Sequence, residues 1–212
     1  MLVGERMSSP VVTLEPKTPI SEALMLFRQR RIRRAPVLAH QQLVGIVSER
    51  DLLYASPSPV SSLSVWEMNY LLSKLTVDEV MTRQVVTVTE DTPIEEAART
   101  MADRRIGGLP VMRGHEVVGI ITETDLFKIL LELMSVREHG VRVTALLDDR
   151  PGMLARLSTA IFEASGNFIS FGQFDKEDGA RLITFKVSGL SLDRVREVIA
   201  PVVKSVFDIR EV

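Results

Sequence analysis

Apolar side chains at Ile20, Ala23, Leu24 and Phe27 fall at i, i+3, i+4 and i+7, one face of an amphipathic helix, and Ile94, Ala97, Ala98 and Met101 repeat that face. Around each helix the pattern shortens to apolar runs. Val11 to Leu14 before the first helix, and Pro36 to Leu38 and Leu43 to Val47 after it, read as strands, and a further helix opens from Ser48. The unit is β-α-β-β-α, and it occurs twice. Met7 matches Met81, Val11-Val12-Thr13 matches Val85-Val86-Thr87, Thr18-Pro19-Ile20 matches Thr92-Pro93-Ile94, and Arg30-Arg31-Ile32 matches Arg104-Arg105-Ile106. Pro36 with Pro110, Gly45 with Gly119 and Asp51 with Asp125 continue the register without insertion. One supersecondary unit has been duplicated, which predicts a pseudo-symmetric pair.

The helix starts carry the sharpest local signals. Thr18 is a candidate cap with Pro19 at the first helical position, and Thr92-Pro93-Ile94-Glu95 reads as a full capping box, with Ser21 in the place of that glutamate in the first copy. Ser48-Glu49-Arg50-Asp51 and Thr122-Glu123-Thr124-Asp125 each end a strand and open a helix. Two readings stand there. S-x-x-D and T-x-x-D are capping-box patterns complete in themselves; the same hydroxyl and carboxylate also sit beside free N–H groups and the positive end of a helix dipole, where phosphate is favoured. Between the copies, Ala55-Ser56-Pro57-Ser58-Pro59 is turn-rich, and Trp66 to Leu75 resumes a helical pattern with Leu71, Leu72 and Leu75 on one side. Trp66 is read as a packing residue.

After Val136-Arg137-Glu138-His139-Gly140 the pattern changes. Val141 to Leu147 is a strand, Pro151 to Ala164 a helix, Phe168 to Phe174 and Leu182 to Val187 paired strands, Leu192 to Val203 a helix and Val206 to Ile209 an edge strand. This is the β-α-β-β-α-β order of a ferredoxin-like sandwich. Asp149 as cap with Pro151 in the first turn makes a good helix start unaided. Alternatively Gly152, lacking a Cβ, lets a ligand approach the backbone, with Asp149 receiving an amino group and Asn167 serving either as contact or as turn. The whole chain is α+β, divided as first motif 1–58, linker with helix 59–78, second motif 79–136 and C-terminal domain 140–212.

Composition changes this picture mainly by exclusion. The 212 residues are 45% hydrophobic and 25% charged, an ordinary globular content, and the absence of cysteine removes a disulfide framework and a thiolate nucleophile, which fits a cytoplasmic, reducing setting and also permits other compartments. MLVGERMSSP lacks the apolar core of a secretory signal, and the apolar run Phe127 to Val136 is interrupted by Lys128 and Glu132, so no membrane span is expected. A formal net charge of −2 gives no general reason for nucleic acid. The basic run Arg28, Arg30, Arg31, Arg33, Arg34 suits the negative end of a helix dipole, and no aromatics interleave for base stacking. His40, His115 and His139 are isolated, so no metal site is expected, and neither a catalytic constellation nor a phosphate loop stands out.

The T-P-I-x-E-A start, the x-x-P-V strand and the V-G-I-[VI]-[ST]-E-x-D-L return resemble the cystathionine beta-synthase (CBS) domain, usually found in tandem pairs. The resemblance implies two units packed about a pseudo-twofold axis, with up to two clefts for adenosine-containing ligands (AMP, ADP, ATP or S-adenosylmethionine). Carried over position by position, it implies contacts from Thr13, Arg34, Pro36, Ser48, Arg50 and Asp51 in one copy and Thr87, Pro110, Thr122 and Asp125 in the other. The second copy departs from the first, since Gly107-Gly108 replaces Arg33-Arg34 and Thr124 replaces Arg50, so the clefts are expected to bind unequally, with Arg104 and Arg105 as partial compensation. Asp148-Asp149-Arg150-Pro151-Gly152-Met153-Leu154 with Gly166-Asn167 resembles the ACT domain, a regulatory module; this implies amino-acid contacts at Asp149, Pro151, Gly152, Met153, Leu154 and Asn167, usually between two copies. The combination with ASPSPVSSL, NYLLSKL and ITETDLF is similar to acetoin-utilisation proteins of the AcuB type. The expectation is therefore a ligand-sensing, homodimeric regulatory protein acting on a partner that the sequence does not name. The competing classes are a ligand-free scaffold, an enzyme of acetoin metabolism and a nucleic-acid binder.

Overall fold

A computed structural model describes residues 1–55, 74–174 and 179–212. The expected linker from Ser56 and most of the Trp66 to Leu75 helix lie outside the described residues. The chain divides into two compact units, Met1–Leu126 and Phe127–Val212.

Each repeat is a helix, a hairpin and a helix: α1 (Ile20–Arg30), β1 (Arg34–Ala39), β2 (Gln42–Ser48) and α2 (Glu49–Ala55), then α3 (Val77–Val80), β3 (Val88–Thr89), α4 (Ile94–Arg104), β4 (Gly108–Arg113), β5 (Glu116–Thr122) and α5 (Glu123–Leu133), the last crossing the boundary after Leu126. The two hairpins share even their irregularity, with a register shift between Val37 and Leu38 in one and between Val111 and Met112 in the other. The expected strand Val11 to Leu14 shrinks to a single parallel bridge, Leu14 to Val37, and its counterpart to the two residues of β3. Phe27, Ile20, Val37, Val47 and Leu52 fill the first repeat's core. Those positions are the helical and alternating apolar sites of the sequence, so burial follows the pattern directly.

The repeats exchange their leading segments. Ser8 bridges Ile120 while its counterpart Thr82 bridges Ile46, and a Cβ at Gly119 would overlap Met7 Sδ just as one at Gly45 would overlap Met81 Sδ. Such reciprocal contacts, i to j and j to i, are the signature of a twofold relation. The exchange also corrects the predicted caps. The helices start after Pro19 and Pro93, which are extended, and neither Thr18 nor Thr92 caps them. Each threonine instead accepts at Oγ1 in the preceding turn, from Glu15 N–H and Thr89 N–H, and no Thr92 to Glu95 box forms. Ile20 N–H donates to Leu75 O at 3.0 Å and Ile94 N–H to Met1 O at 3.2 Å, so a backbone carbonyl from the exchanged segment does the work assigned to the side chain. At the other ends Arg31 and Arg105 adopt φ of 53° and 54° as left-handed C-caps. Arg28 and Arg30 lie in the last turn of α1, as the dipole reading expects.

The second unit is β6 (Val141–Asp148), α6 (Met153–Glu163), β7 (Asn167–Phe174), β8 (Ala180–Ser188), α7 (Leu192–Ile199) and β9 (Ser205–Glu211), with an antiparallel sheet ordered β7-β8-β6-β9. Strict alternation in β6 sends Val141, Val143, Ala145 and Leu147 into the core with Met153, Leu157, Ile161, Phe185, Val195 and Ile199. The other face of β8 is also covered near its end, where Thr184 and Lys186 are buried. Lys186 Nζ donates to Ser135 O and Glu138 O, each at 2.9 Å, and so ties the segment after α5 to the sheet. Hydrogen bonds from Lys204 to Asp148 and from Arg210 to Asp208 lead the effects that hold both carboxyls below their ordinary range.

Candidate functional site

The antiparallel register places Arg34 opposite Ser48 and Gly108 opposite Thr122, at the ends of the hairpins from which α2 and α5 emerge. Glu49 N–H donates to Arg33 O and Glu123 N–H to Gly107 O, closing each corner. Within the corners the carboxylates turn back on the strand ends. Asp51 Oδ2 accepts from Ser48 N–H at 2.8 Å and Ser48 Oγ–H at 2.6 Å, and Asp125 Oδ2 accepts from Thr122 N–H at 3.1 Å and Thr122 Oγ1–H at 2.7 Å. Asp51 N–H returns to Ser48 Oγ, completing the reciprocal capping box. The capping box read from the sequence is complete in the first copy, and in the second the carboxylate's half of it, Thr122 N–H to Asp125 Oδ2, is present. Each aspartate is held by these bonds at the strand end, and Asp125 is buried.

Two of the remaining candidates, Thr13 and Thr87, run beside the first strand of each hairpin. Leu14 N–H donates to Pro36 O, so Thr13 runs beside the start of β1, and Val88 pairs with Val111, which puts Thr87 alongside Pro110. Arg50 departs from the expected arrangement. Its guanidinium stacks 5.1 Å above the Tyr54 ring and donates to Tyr54 Oη, along its own helix.

Arg33 and Arg34 cross to the other repeat. Arg33 Nη2 donates to Thr124 Oγ1 at 2.7 Å, and Arg34 Nη2 lies 3.6 Å from Glu123 Oε2. Burial lowers the pKa of Arg34 most, Arg33 adds to the lowering, and the Glu123 and Asp51 carboxylates oppose it. Arg104 and Arg105 end α4 just before Gly107, the residue whose carbonyl closes the second corner. Arg33, Glu123 and Gly107 are functional candidates that position-by-position matching passed over. The clue was the Arg-Arg to Gly-Gly exchange, which reads as a loss in one copy until the two copies are seen to touch.

In the second unit Asp149, Pro151, Gly152, Met153 and Leu154 line a cavity of about 350 Å³ with Phe171, Gln173, Arg181 and Ile183. Asp149 does not cap α6. Its Oδ1 accepts from Arg181 Nε at 2.7 Å, and the N-cap is Gly152 at φ 86°, with Pro151 outside the helix. Glycine is favoured there by the left-handed backbone and leaves the wall open, since a Cβ would meet nothing within 4 Å. Asn167 opens β7 opposite Ser188, while the cavity is lined from Gln173 near that strand's other end. Arg181 was missed because its strand neighbours become known only with the sheet order.

Family comparison assigns residues 3–58 and 77–132 to the CBS domain and 139–210 to the TTHA0829-like ACT domain. A CBS domain-containing protein of Dictyostelium discoideum is 30% identical over 136 residues, covering 63% of this chain and 94% of its own. The L-aspartate semialdehyde sulfurtransferase of Methanocaldococcus jannaschii is 31% identical over 130 residues, 60% of this chain but 23% of the enzyme. Among solved structures, a CBS pair in complex with 5′-methylthioadenosine and S-adenosyl-L-methionine matches with a TM-score of 0.52 and 31% identity, over 61% of this chain and 95% of that one. CBSX2 in complex with AMP gives 0.52 and 30%, over 62% and 97%. A Vibrio cholerae protein provisionally described as an acetoin utilization protein (AcuB) gives 0.53 and 30%, over 65% and 95%. The duplicated unit, the exchanged segments and these matches agree: the chain belongs to the CBS-domain family, as a tandem pair followed by a TTHA0829-like ACT domain.

Proposed function

We propose that the chain is a regulatory sensor rather than an enzyme, with AMP, ADP, ATP or S-adenosylmethionine bound by the CBS pair and an amino acid by the ACT domain. The observation that carries the first part is the repeated corner: a hydroxyl and a fixed carboxylate at Ser48 and Asp51, and again at Thr122 and Asp125, with Arg34 beside both. The carboxylates accept from ribose hydroxyls, the guanidinium meets phosphate, and Thr13 with Pro36 and Thr87 with Pro110 form the adjoining walls. Related pairs solved with AMP and with S-adenosyl-L-methionine support this ligand class. The sulfurtransferase relative does not argue for catalysis, because less than a quarter of that enzyme is matched. Calorimetric titration with adenine nucleotides, S-adenosylmethionine and amino acids tests the reading, and a protein that binds none of them is a scaffold.

The ACT cavity suits a zwitterion, whose carboxylate and ammonium would part the Arg181–Asp149 pair and take its place on that wall, with Gly152 exposing backbone beside them. Gly152→Val is expected to abolish amino-acid binding while AMP affinity stays within twofold, because a β-branched residue resists φ 86° and fills the opening. Wild-type protein that takes up no common amino acid would leave the ACT domain an assembly module.

Signalling requires the ligand to favour one arrangement of the protein over another. The target is a separate protein in the cytoplasm, and the Vibrio neighbour supports acetoin utilisation as the setting. The assembly is a twofold homodimer: β7 and β9 leave sheet edges, and Phe174 and Phe207 on them are exposed. Sedimentation velocity at micromolar concentration is expected to give about 47 kDa, twice the 23.7 kDa chain. A monomer there removes the dimer.

A further inference from the structure

The two glycines that break the repeat's symmetry lie under a side chain from the other copy. A Cβ at Gly108 would sit 3.2 Å from Arg34 Cδ, and one at Gly107 would overlap Arg34 Nη2 and lie 2.5 Å from both Arg34 Cζ and Glu123 Oε2. The stem of Arg34 therefore runs along Gly108, and its guanidinium fills the space that a side chain at Gly107 would need. A symmetric pair would have placed an Arg-Arg dipeptide there and put two guanidiniums into one volume. Gly107-Gly108 is better described as a seat for Arg34 than as the loss of a cation.

Building on the adenosine-ligand reading above, we propose that Arg34 is one phosphate-binding group shared by both repeats, with Glu123 holding it in the second copy until a ligand phosphate displaces that carboxylate. Arg34 is placed to serve either side. In register it faces Ser48 of the first corner, it lies 3.6 Å from Glu123 of the second, and the carboxylates of both corners, Asp51 and Glu123, act on its charge. Its partial burial makes the charge sensitive to its neighbours: the Arg34 side chain is 24% exposed against 54% for Glu123. The exposed Glu123 is thus the member of the pair that can move into water when a phosphate arrives. Arg33, bonded to Thr124, secures the same crossing from the next position.

The consequence is a rule of selectivity. A nucleoside without phosphate makes no claim on Arg34 and can fill both corners with similar affinity. A phosphate-bearing ligand in one corner takes Arg34 away from the other, so the second equivalent binds at least tenfold more weakly than the first. The two sites are unequal because they compete for one cation, not because each has its own fixed complement of charge.

The test is a calorimetric cycle with AMP and adenosine on the full chain, using wild type, Glu123→Gln, Gly107→Ala and the double variant. Glu123→Gln removes the competing carboxylate and is expected to tighten the first AMP by threefold or more while adenosine changes less than twofold. Gly107→Ala evicts Arg34 from its seat, so adding Glu123→Gln to it should change AMP affinity less than twofold. Two equal AMP sites in wild type, or equal shifts for AMP and adenosine in Glu123→Gln, overturn the sharing while leaving the adenosine site standing. Failure of wild type to bind either compound overturns the site and the sharing together. Circular dichroism melts establish that each variant is folded.

Discussion

Asp51→Asn and Asp125→Asn are each expected to weaken AMP binding by about tenfold or more at their own corner, and the double variant to weaken both corners by that factor. The structure gives both residues a capping duty, since Ser48 and Thr122 donate to them through N–H and hydroxyl groups. Asparagine keeps one carbonyl oxygen for those bonds, so stability should fall by no more than about 1 kcal/mol, the usual scale of a cap. It loses the charge that makes a carboxylate a strong acceptor for two ribose hydroxyls. Stability and affinity therefore move independently, and measuring both separates the duties. A double variant with the melting loss of a broken cap and unchanged AMP and ATP isotherms would falsify the ribose assignment. In that case Asp51 and Asp125 are structural residues alone.

Much of this architecture could be read from the chain because two kinds of signal are local. Helical spacing over Ile20 to Phe27 and alternation over Val141 to Leu147 depend only on which side of an element faces a core, and the buried residues are those positions. The duplication fixed the pairing of elements without any knowledge of packing. Capping at Ser48 and Thr122 was legible for the same reason, since both partners lie three residues apart. Thr18, Thr92 and Asp149 have equally good local patterns yet do not cap, because groups distant in sequence reach them or their helices first: Leu75 O, Met1 O and the Arg181 guanidinium. The same limit hid the seat of Arg34 on Gly107-Gly108. Matching one copy to the other shows what each lacks, but contacts between the copies are not aligned positions.

Lys186→Met is expected to lower the stability of the second unit by about 3 kcal/mol, with a fall in its melting temperature on the order of 10 °C or more. In sequence this lysine alternates with Phe185 and Val187 and looks like an ordinary solvent-facing residue of a half-buried strand. It is instead only 4% exposed, because the segment from Ser135 to Glu138 passes over that face of β8. Two carbonyls accept from Nζ at 2.9 Å, and hydrogen bonds to a charged donor contribute about 1.5 to 3 kcal/mol each. Methionine preserves the length and apolar stem of the side chain, so the packing against Gly140 need not change and the loss reports the ammonium. Part of that loss is offset because burying a thioether costs less desolvation than burying a charge, which is why the expected value lies at the low end of the sum of the two bonds. Ser135 O also keeps its bond from Glu138 N–H, so the segment should loosen rather than lose its turn. Thermal and urea unfolding of the full chain, followed by hydrogen exchange across residues 135–140, checks both statements. A change below about 0.5 kcal/mol with undiminished protection there would show that apolar packing alone holds the segment to the sheet.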